Sequence, residues 1–319
     1  MRSRADEVQD LLAEDLDCVE RALQAVMADC VPPTDAVTEH LVSRGGKRAR
    51  PVTLLLSSAC FGSIPPAAKE LAVVVELVHS ATLLHDDVVD DGLVRRGAAT
   101  SRRLWGNGMS VLGGDLLLVR SLSRTLEACP QALPELMVTL EQLVEGEIVQ
   151  MRGRSELDVS EAAYERVLRG KTASLFVWAA AAGGRVGGAT PTQREALGRF
   201  GEGMGMAFQM VDDVLDYTAG DSGKTLLADL CEGKLTLPLV LAVRERPELM
   251  DAVRRIHAGD REPVAQVSEA VIQSGACDDV RRRAERHTDD AVEALEQLPD
   301  SPARELLAWL ARQLTDRTR

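Results

Sequence analysis

At 319 residues the chain is long enough for one large domain or two ordinary ones. Its 50 acidic against 37 basic residues leave a net charge of −13, which excludes a general nucleic-acid or anionic-membrane surface, so any phosphate must be held by a few placed cations. Aromatics make up only 3% of the chain and Ala, Leu and Val dominate the apolar residues, a composition that favours helix packing over strands and predicts an all-α protein.

Helical periodicity begins near the N-terminus and is broken by turn-forming clusters at Val31-Pro32-Pro33-Thr34, Gly62-Ser63-Ile64-Pro65-Pro66, Arg185-Val186-Gly187-Gly188-Ala189 and Asp221-Ser222-Gly223. None is long enough to be an interdomain linker, so a single domain spanning residues 1–319 is expected. Pro65-Pro66 opens a mostly apolar helix running through His79 to Asp91, and Thr190-Pro191 opens a second through Phe208 to Tyr217. Both should be central. The last ~80 residues alternate charged and apolar positions, as a peripheral helical layer does. The longest apolar stretches, such as Leu71 to Leu84, are interrupted by charged or polar residues like Glu76 and His79, so no transmembrane segment is expected. Cys18, Cys30, Cys60, Cys129, Cys231 and Cys277 are scattered, without a C-x-x-C pair or a secretory leader, and read as reduced thiols of a soluble cytoplasmic protein.

The two central helices end in the same acidic pattern, Asp86-Asp87-Val88-Val89-Asp90 and Asp212-Asp213-Val214-Leu215-Asp216. A helical residue advances about 100°, so the first and last aspartates of each pattern lie about 40° apart with the second within about 100° of both. Each cluster is a set of carboxylates on one face, at the end of an apolar segment where isolated charges would be costly. Carboxylate-only sets suit hard, oxygen-seeking cations, magnesium in particular, with substrate phosphates and water completing the shell. One such cluster could be a helix end showing acids to solvent; two in matching context point to a metal-bridged polyphosphate.

Anions also need cations. Gly45-Gly46-Lys47-Arg48-Ala49-Arg50-Pro51 sets two glycines before a basic run in which Lys47 and Arg50 share a helical face. Arg95 and Arg96 follow the first acidic cluster at a distance suited to a loop folding back over it, and guanidinium forks match phosphate oxygens bidentately. Lys171-Thr172, Lys224 and Lys234 surround the second cluster in sequence.

Taken in order, Gly45-Gly46-Lys47-Arg48-x-Arg50-Pro51, Glu76-x-x-His79-x-x-x-Leu83-Leu84-His85-Asp86-Asp87-x-x-Asp90 with Arg95-Arg96-Gly97, Gly114-Asp115, Glu145-Gly146-Glu147, Lys171-Thr172, Phe208-Gln209-x-x-Asp212-Asp213-x-x-Asp216 and Glu232-Gly233-Lys234-x-Thr236-x-Pro238 resemble the trans-isoprenyl (polyprenyl) diphosphate synthases. The resemblance implies a helical bundle around a deep central cavity, with the two aspartate-rich motifs facing across its mouth, Mg2+ as cofactor, and a homodimer. By motif position it implies that Asp86, Asp87, Asp90, Asp212 and Asp216 hold the metal, and that Asp213, Arg95, Lys171 and Lys224 join those aspartates in catalysis. Lys47, Arg50, His79 and Arg96 would bind isopentenyl diphosphate. Arg95, Lys171, Thr172, Gln209, Lys224 and Lys234 would bind the allylic diphosphate. The chain departs from the family at Leu227, where a glycine is common, and at Leu93, where an acid is.

The implied reaction breaks a carbon–oxygen bond to give an allylic cation, which the double bond of isopentenyl diphosphate attacks. No side chain stands out as the base for the proton then lost; the family suggests the released diphosphate. Dipoles near Lys171, Thr172 and Gln209 are candidates to stabilise the cation. His85 reads as structural. Val78, Ala81 and Thr82, one and two turns below Asp86, are small where short-chain relatives tend to carry Phe or Tyr, and the first cluster lacks the insertion of bacterial short-chain enzymes. A medium- or long-chain product is therefore expected from a farnesyl or geranylgeranyl primer, with Leu122 as part of the tunnel floor. The alternatives are a short-chain synthase, a non-catalytic subunit of a heteromeric synthase, and a terpene cyclase, which would need no second diphosphate pocket.

Overall fold

The computed structural model describes residues 3–42, 48–95, 97–218 and 227–316. They are helical almost throughout, as the composition predicts, and the strands among them are two-residue pieces of one hairpin. Contacts divide the chain into two compact units: Met1–Met137 with Trp178–Gly198 and Gln297–Leu307, and Val138–Val177 with Arg199–Glu296 and Ala308–Arg319.

The first unit opens with α1 (Arg4–Ala28), capped by Ser3, whose hydroxyl accepts from the Asp6 amide at 3.2 Å while the Asp6 carboxylate accepts from the Ser3 amide at 3.1 Å. Leu12, Val19, Leu23 and Val26 form its buried stripe. After α2 (Thr34–Val42) and α3 (Ala49–Ala59) comes α4 (Pro66–Val89), with proline in its first turn where the missing amide costs nothing. Residues Leu71 to Val78 of α4 are buried without a break, the all-round burial of a central helix. The charge within that run is Glu76, 6% exposed, which pairs with Arg48; Arg48 also takes Glu20 at 2.6 Å. The hairpin β1 (Val94–Arg95) and β2 (Ala98–Ala99) leads into α5 (Ser101–Ala128), which packs along α4.

Next come α6 (Leu133–Glu156), α7 (Glu161–Val167), a π-helical turn at Leu168–Ala173, α8 (Ser174–Gly187) and α9 (Pro191–Thr218). The break expected at Arg185–Ala189 falls late in that segment, because α8 continues to Gly187 and turns at Gly188, whose φ is +95°. The remaining helices are α10 (Ala228–Cys231), α11 (Leu237–Glu245), α12 (Leu249–His257), α13 (Val264–Gln273), α14 (Ala276–Ala294) and α15 (Pro302–Thr315). The core of the second unit sets Met206, Met210, Val214 and Tyr217 of α9 against the buried faces of α11 to α14. No helix among the described residues is long and apolar enough to cross a membrane.

Candidate active site

The first acidic motif closes α4. Asp86 and Asp90 are half-buried, whereas Asp87 is only 3% exposed. Asp91 turns the chain with φ +52°, the Gly92 amide donates to the Asp87 carbonyl at 2.9 Å, and the Thr100 hydroxyl donates to the Gly92 carbonyl at 2.8 Å. These bonds fold the hairpin back over the helix end, as the spacing of the arginines suggested. Arg95 then donates its Nε to Asp87 Oδ1 at 2.7 Å. Burial pushes the Asp87 carboxyl up, and the Arg95 charge opposes that shift. On the far side of the hairpin His40 Nε2 lies 2.8 Å from the Ala99 carbonyl, with its ring edge-on to Trp105.

Arg50 sits half-buried in the first turn of α3, and His79 half-buried on α4, where its carbonyl accepts the Thr82 hydroxyl at 2.8 Å. Val78 and Ala81 are fully buried on the same helix, and Leu122 is half-buried on α5. His85 lies against α5, near the Val111 carbonyl and Asp115, at a point where a Cβ on Gly114 would come within 2.2 Å of its ring. That contact explains Gly114 and supports the structural reading of His85. Lys47, Arg96 and Lys224 lie outside the described residues.

The second motif closes α9 within the other unit. Asp212 and Asp216 are half-buried and Asp213 is 4% exposed, repeating the pattern of the first motif. Asp213 Oδ2 accepts the Tyr164 hydroxyl at 2.7 Å and Oδ1 accepts the Gln209 side-chain amide at 2.9 Å. Gln209 Oε1 in turn accepts the Thr172 hydroxyl at 3.2 Å. Burial, with Asp229 nearby, pushes the Asp213 carboxyl up to about 8, while the two donors favour its ionised form. Asp216 accepts the Asp229 amide at 3.2 Å, and Asp229 in turn accepts Lys234 Nζ at 3.1 Å. Lys234 also meets Glu232 at 2.7 Å, and Lys171 pairs with Glu147. Both lysines therefore rest on carboxylates that a diphosphate would have to displace.

Lys171 and Thr172 lie in the π-helical turn. There the Ser174 amide reaches back five residues to the Arg169 carbonyl, and the Gly170 carbonyl left over is taken by the Ser174 hydroxyl at 2.6 Å. Gly146 of α6 makes the position possible, since a Cβ there would lie 2.6 Å from the Lys171 amide nitrogen. Leu227, where the family commonly has glycine, adopts φ +63°, a left-handed conformation that glycine reaches without steric cost.

Sequence reasoning had no role for Tyr164, Glu147 or Asp229. Tyr164 is one of only two tyrosines in the chain and lies seven residues before Lys171, a helical spacing that was the one available signal. Among the described residues no three His, Cys, Asp or Glu side chains converge as a preformed metal cage.

The polyprenyl synthetase family profile matches residues 31–273. The chain belongs to this family of trans-prenyltransferases, and its fold is the all-α isoprenoid synthase fold. It is 37% identical to the all-trans-nonaprenyl-diphosphate synthase (geranyl-diphosphate specific) of Rhodobacter capsulatus, over 97% of this chain and 98% of the relative. It is also 37% identical to the octaprenyl diphosphate synthase of Escherichia coli, over 98% and 99%. The crystal structure of a polyprenyl synthase from Caulobacter crescentus, complexed with calcium and isoprenyl diphosphate, superposes with a TM-score of 0.92 at 35% identity over all of both chains.

Proposed function

We propose that this protein condenses an allylic diphosphate, farnesyl or geranylgeranyl, with isopentenyl diphosphate units to make a medium- or long-chain all-trans polyprenyl diphosphate. The observation that carries the reading is the repeated motif, in which the first and last aspartates stay partly exposed while the second is buried. Asp86, Asp87 and Asp90, and Asp212 with Asp216, offer only oxygen donors, a set that fits magnesium bound largely by substrate phosphates and water. Asp87 is buried with one oxygen on Arg95, and the partly exposed Asp86 and Asp90 are the more accessible of the first set. Bound there, magnesium would act as a Lewis acid on the departing diphosphate.

The chain's own groups do the rest. Lys171, Lys234 and Arg95, with Lys224, neutralise the allylic diphosphate as it leaves. Thr172 and Gln209 present fixed dipoles to the electron-poor carbon, and Lys47, Arg50, His79 and Arg96 hold isopentenyl diphosphate in line. Catalysis by Asp213 is indirect in this scheme, through Gln209.

We further read the chain as one domain, since four of the five limits between the two units fall inside α6, α8, α9 and α15. A homodimer is supported by apolar residues left exposed at seven-residue steps, Leu112, Val119 and Leu126 on α5 and Met137, Val144 and Met151 on α6. A cytoplasmic location is supported by six unbridged cysteines.

The purified chain, incubated with magnesium, farnesyl diphosphate and labelled isopentenyl diphosphate, should yield labelled polyprenyl products, and Asp86→Ala or Asp212→Ala should lower turnover by on the order of 100-fold or more. Product formed without isopentenyl diphosphate would indicate a cyclase. No product at all would indicate a partner-dependent subunit, and full activity in both variants would refute their metal role.

A further inference from the structure

Tyr164 lies at the far end of a hydrogen-bonded chain that leads to the allylic site. Tyr164 is 6% exposed, and the one hydrogen bond of its hydroxyl among the described residues goes to Asp213 Oδ2 at 2.7 Å. The Gln209 amide turns its NH2 toward the other oxygen, Oδ1, at 2.9 Å, and its carbonyl the other way. That carbonyl meets Thr172 Oγ1 at 3.2 Å, and since a carbonyl cannot donate, the threonine must give its one hydroxyl proton to Gln209. Thr172 is then left with oxygen lone pairs alone for whatever lies on its other side.

The direction of every bond in this relay follows from Asp213 accepting at both oxygens. Remove the tyrosine donor, and a buried carboxylate oxygen loses its partner, a condition costly enough to favour rotation or another pairing. Once the carboxyl has rotated off Gln209, the amide is free to turn over and offer NH2 to Thr172. The threonine would in that case point its proton outward, placing positive rather than negative charge against the substrate.

We propose that Tyr164 is a positioning residue for prenyl transfer, which by holding Asp213 fixes the orientation of the Gln209 amide and so the face that the Thr172 hydroxyl presents to the allylic substrate. This rests on the reading that Thr172 and Gln209 contact that substrate. The same relay accounts for the burial of Asp213, which serves as a relay between Tyr164 and Gln209.

The test is steady-state kinetics of the full-length enzyme with farnesyl diphosphate, isopentenyl diphosphate and magnesium. Tyr164→Phe keeps the ring and loses the donor; its kcat should fall about tenfold, with KM for both substrates within about twofold of wild type. In a Gln209→Ala background the same change should cost less than about twofold in kcat, because the group it acts through is gone. Wild-type kcat in Tyr164→Phe, or a loss that multiplies in full with that of Gln209→Ala, overturns the inference while leaving the assignment of the allylic site standing. Wild-type kcat in both Gln209→Ala and Thr172→Ala overturns that assignment and the inference with it. Should Tyr164→Phe not fold, Asp213→Asn breaks the relay one step later, and it must show the same split between kcat and KM and the same lack of additivity.

Discussion

Asp87 and Arg95 meet at 2.7 Å across the turn that ends α4, so the second aspartate of the motif anchors the hairpin that carries its own arginine. Removing Arg95 leaves a nearly inaccessible carboxylate without its cation. Arg95→Ala should destabilise the protein by about 1–2 kcal/mol, at the lower end for a charged hydrogen bond because the guanidinium is about a third exposed. Adding Asp87→Asn should recover most of that loss. Urea unfolding of the three variants measures it, and a single mutant as stable as wild type would show that the pair does not hold the hairpin.

Product length tests the small residues of α4. Ala81 is fully buried one turn below the first motif, so a phenyl ring there must project along the path of a growing prenyl chain or force α4 to shift. Ala81→Phe should shift the product distribution toward shorter chains on thin-layer or liquid chromatography. An unchanged distribution from a folded enzyme would remove Val78, Ala81 and Thr82 from the chain-length determinants.

Two glycines of one helix should respond in opposite ways. A Cβ on Gly146 would lie 2.6 Å from the Lys171 amide nitrogen, whereas one on Gly153 would meet nothing within 4 Å. Gly146→Ala should cost about 1–3 kcal/mol and lower kcat by displacing Lys171. Gly153→Ala should be neutral or stabilise by up to about 1 kcal/mol. Thermal denaturation of both separates close approach from simple helix propensity.

The exposed apolar steps on α5 predict assembly. Val119 is 58% exposed, so Val119→Glu has little to disturb within one chain and should still fold. If that face seals a dimer, the variant should elute as a monomer in light-scattering chromatography while the wild type does not. A wild-type monomer, or an unaffected dimer, would place the contact elsewhere.

His287 of α14 gives a pH dependence with a definite sign. Burial holds its pKa below the ordinary 6.5, so on acidification the unfolded chain takes up that proton before the folded one. The stabilising contribution is complete above about pH 6.5 and is lost as the pH falls through the lower, folded-state value. Wild type should lose more stability than His287→Gln between about pH 7 and pH 5; parallel curves would show that the imidazole takes up its proton at the same pH in both states.

Much of this architecture was legible in the sequence for plain reasons. Pro66 and Pro191 open α4 and α9 because proline suits a first helical turn, and unbroken burial follows from the apolar run after Leu71. The angular argument put three aspartates on one face of each helix but could not divide them, because it ignores what packs beside the helix. Arg95 and Tyr164 are what separate Asp87 and Asp213 from their neighbours, and Tyr164 lies 49 residues from its partner. The hairpin at Val94–Ala99 is too short for alternation to show. The π-helical turn has no local signal, and the close approach that Gly146 makes to it comes from another helix.

That turn makes chain length, as much as residue identity, a functional property of this segment. One residue fewer at Arg169 or Gly170 would let the coil rewind to regular α geometry, in which roughly five residues turn through as much as six do in the wider coil, so the helix beyond would hold its aim. Lysine and threonine would both survive such a deletion and the phenyl ring of Phe176, wholly enclosed in the native protein, would keep its place, yet the bulge that sets Lys171 beside Gly146 would be gone.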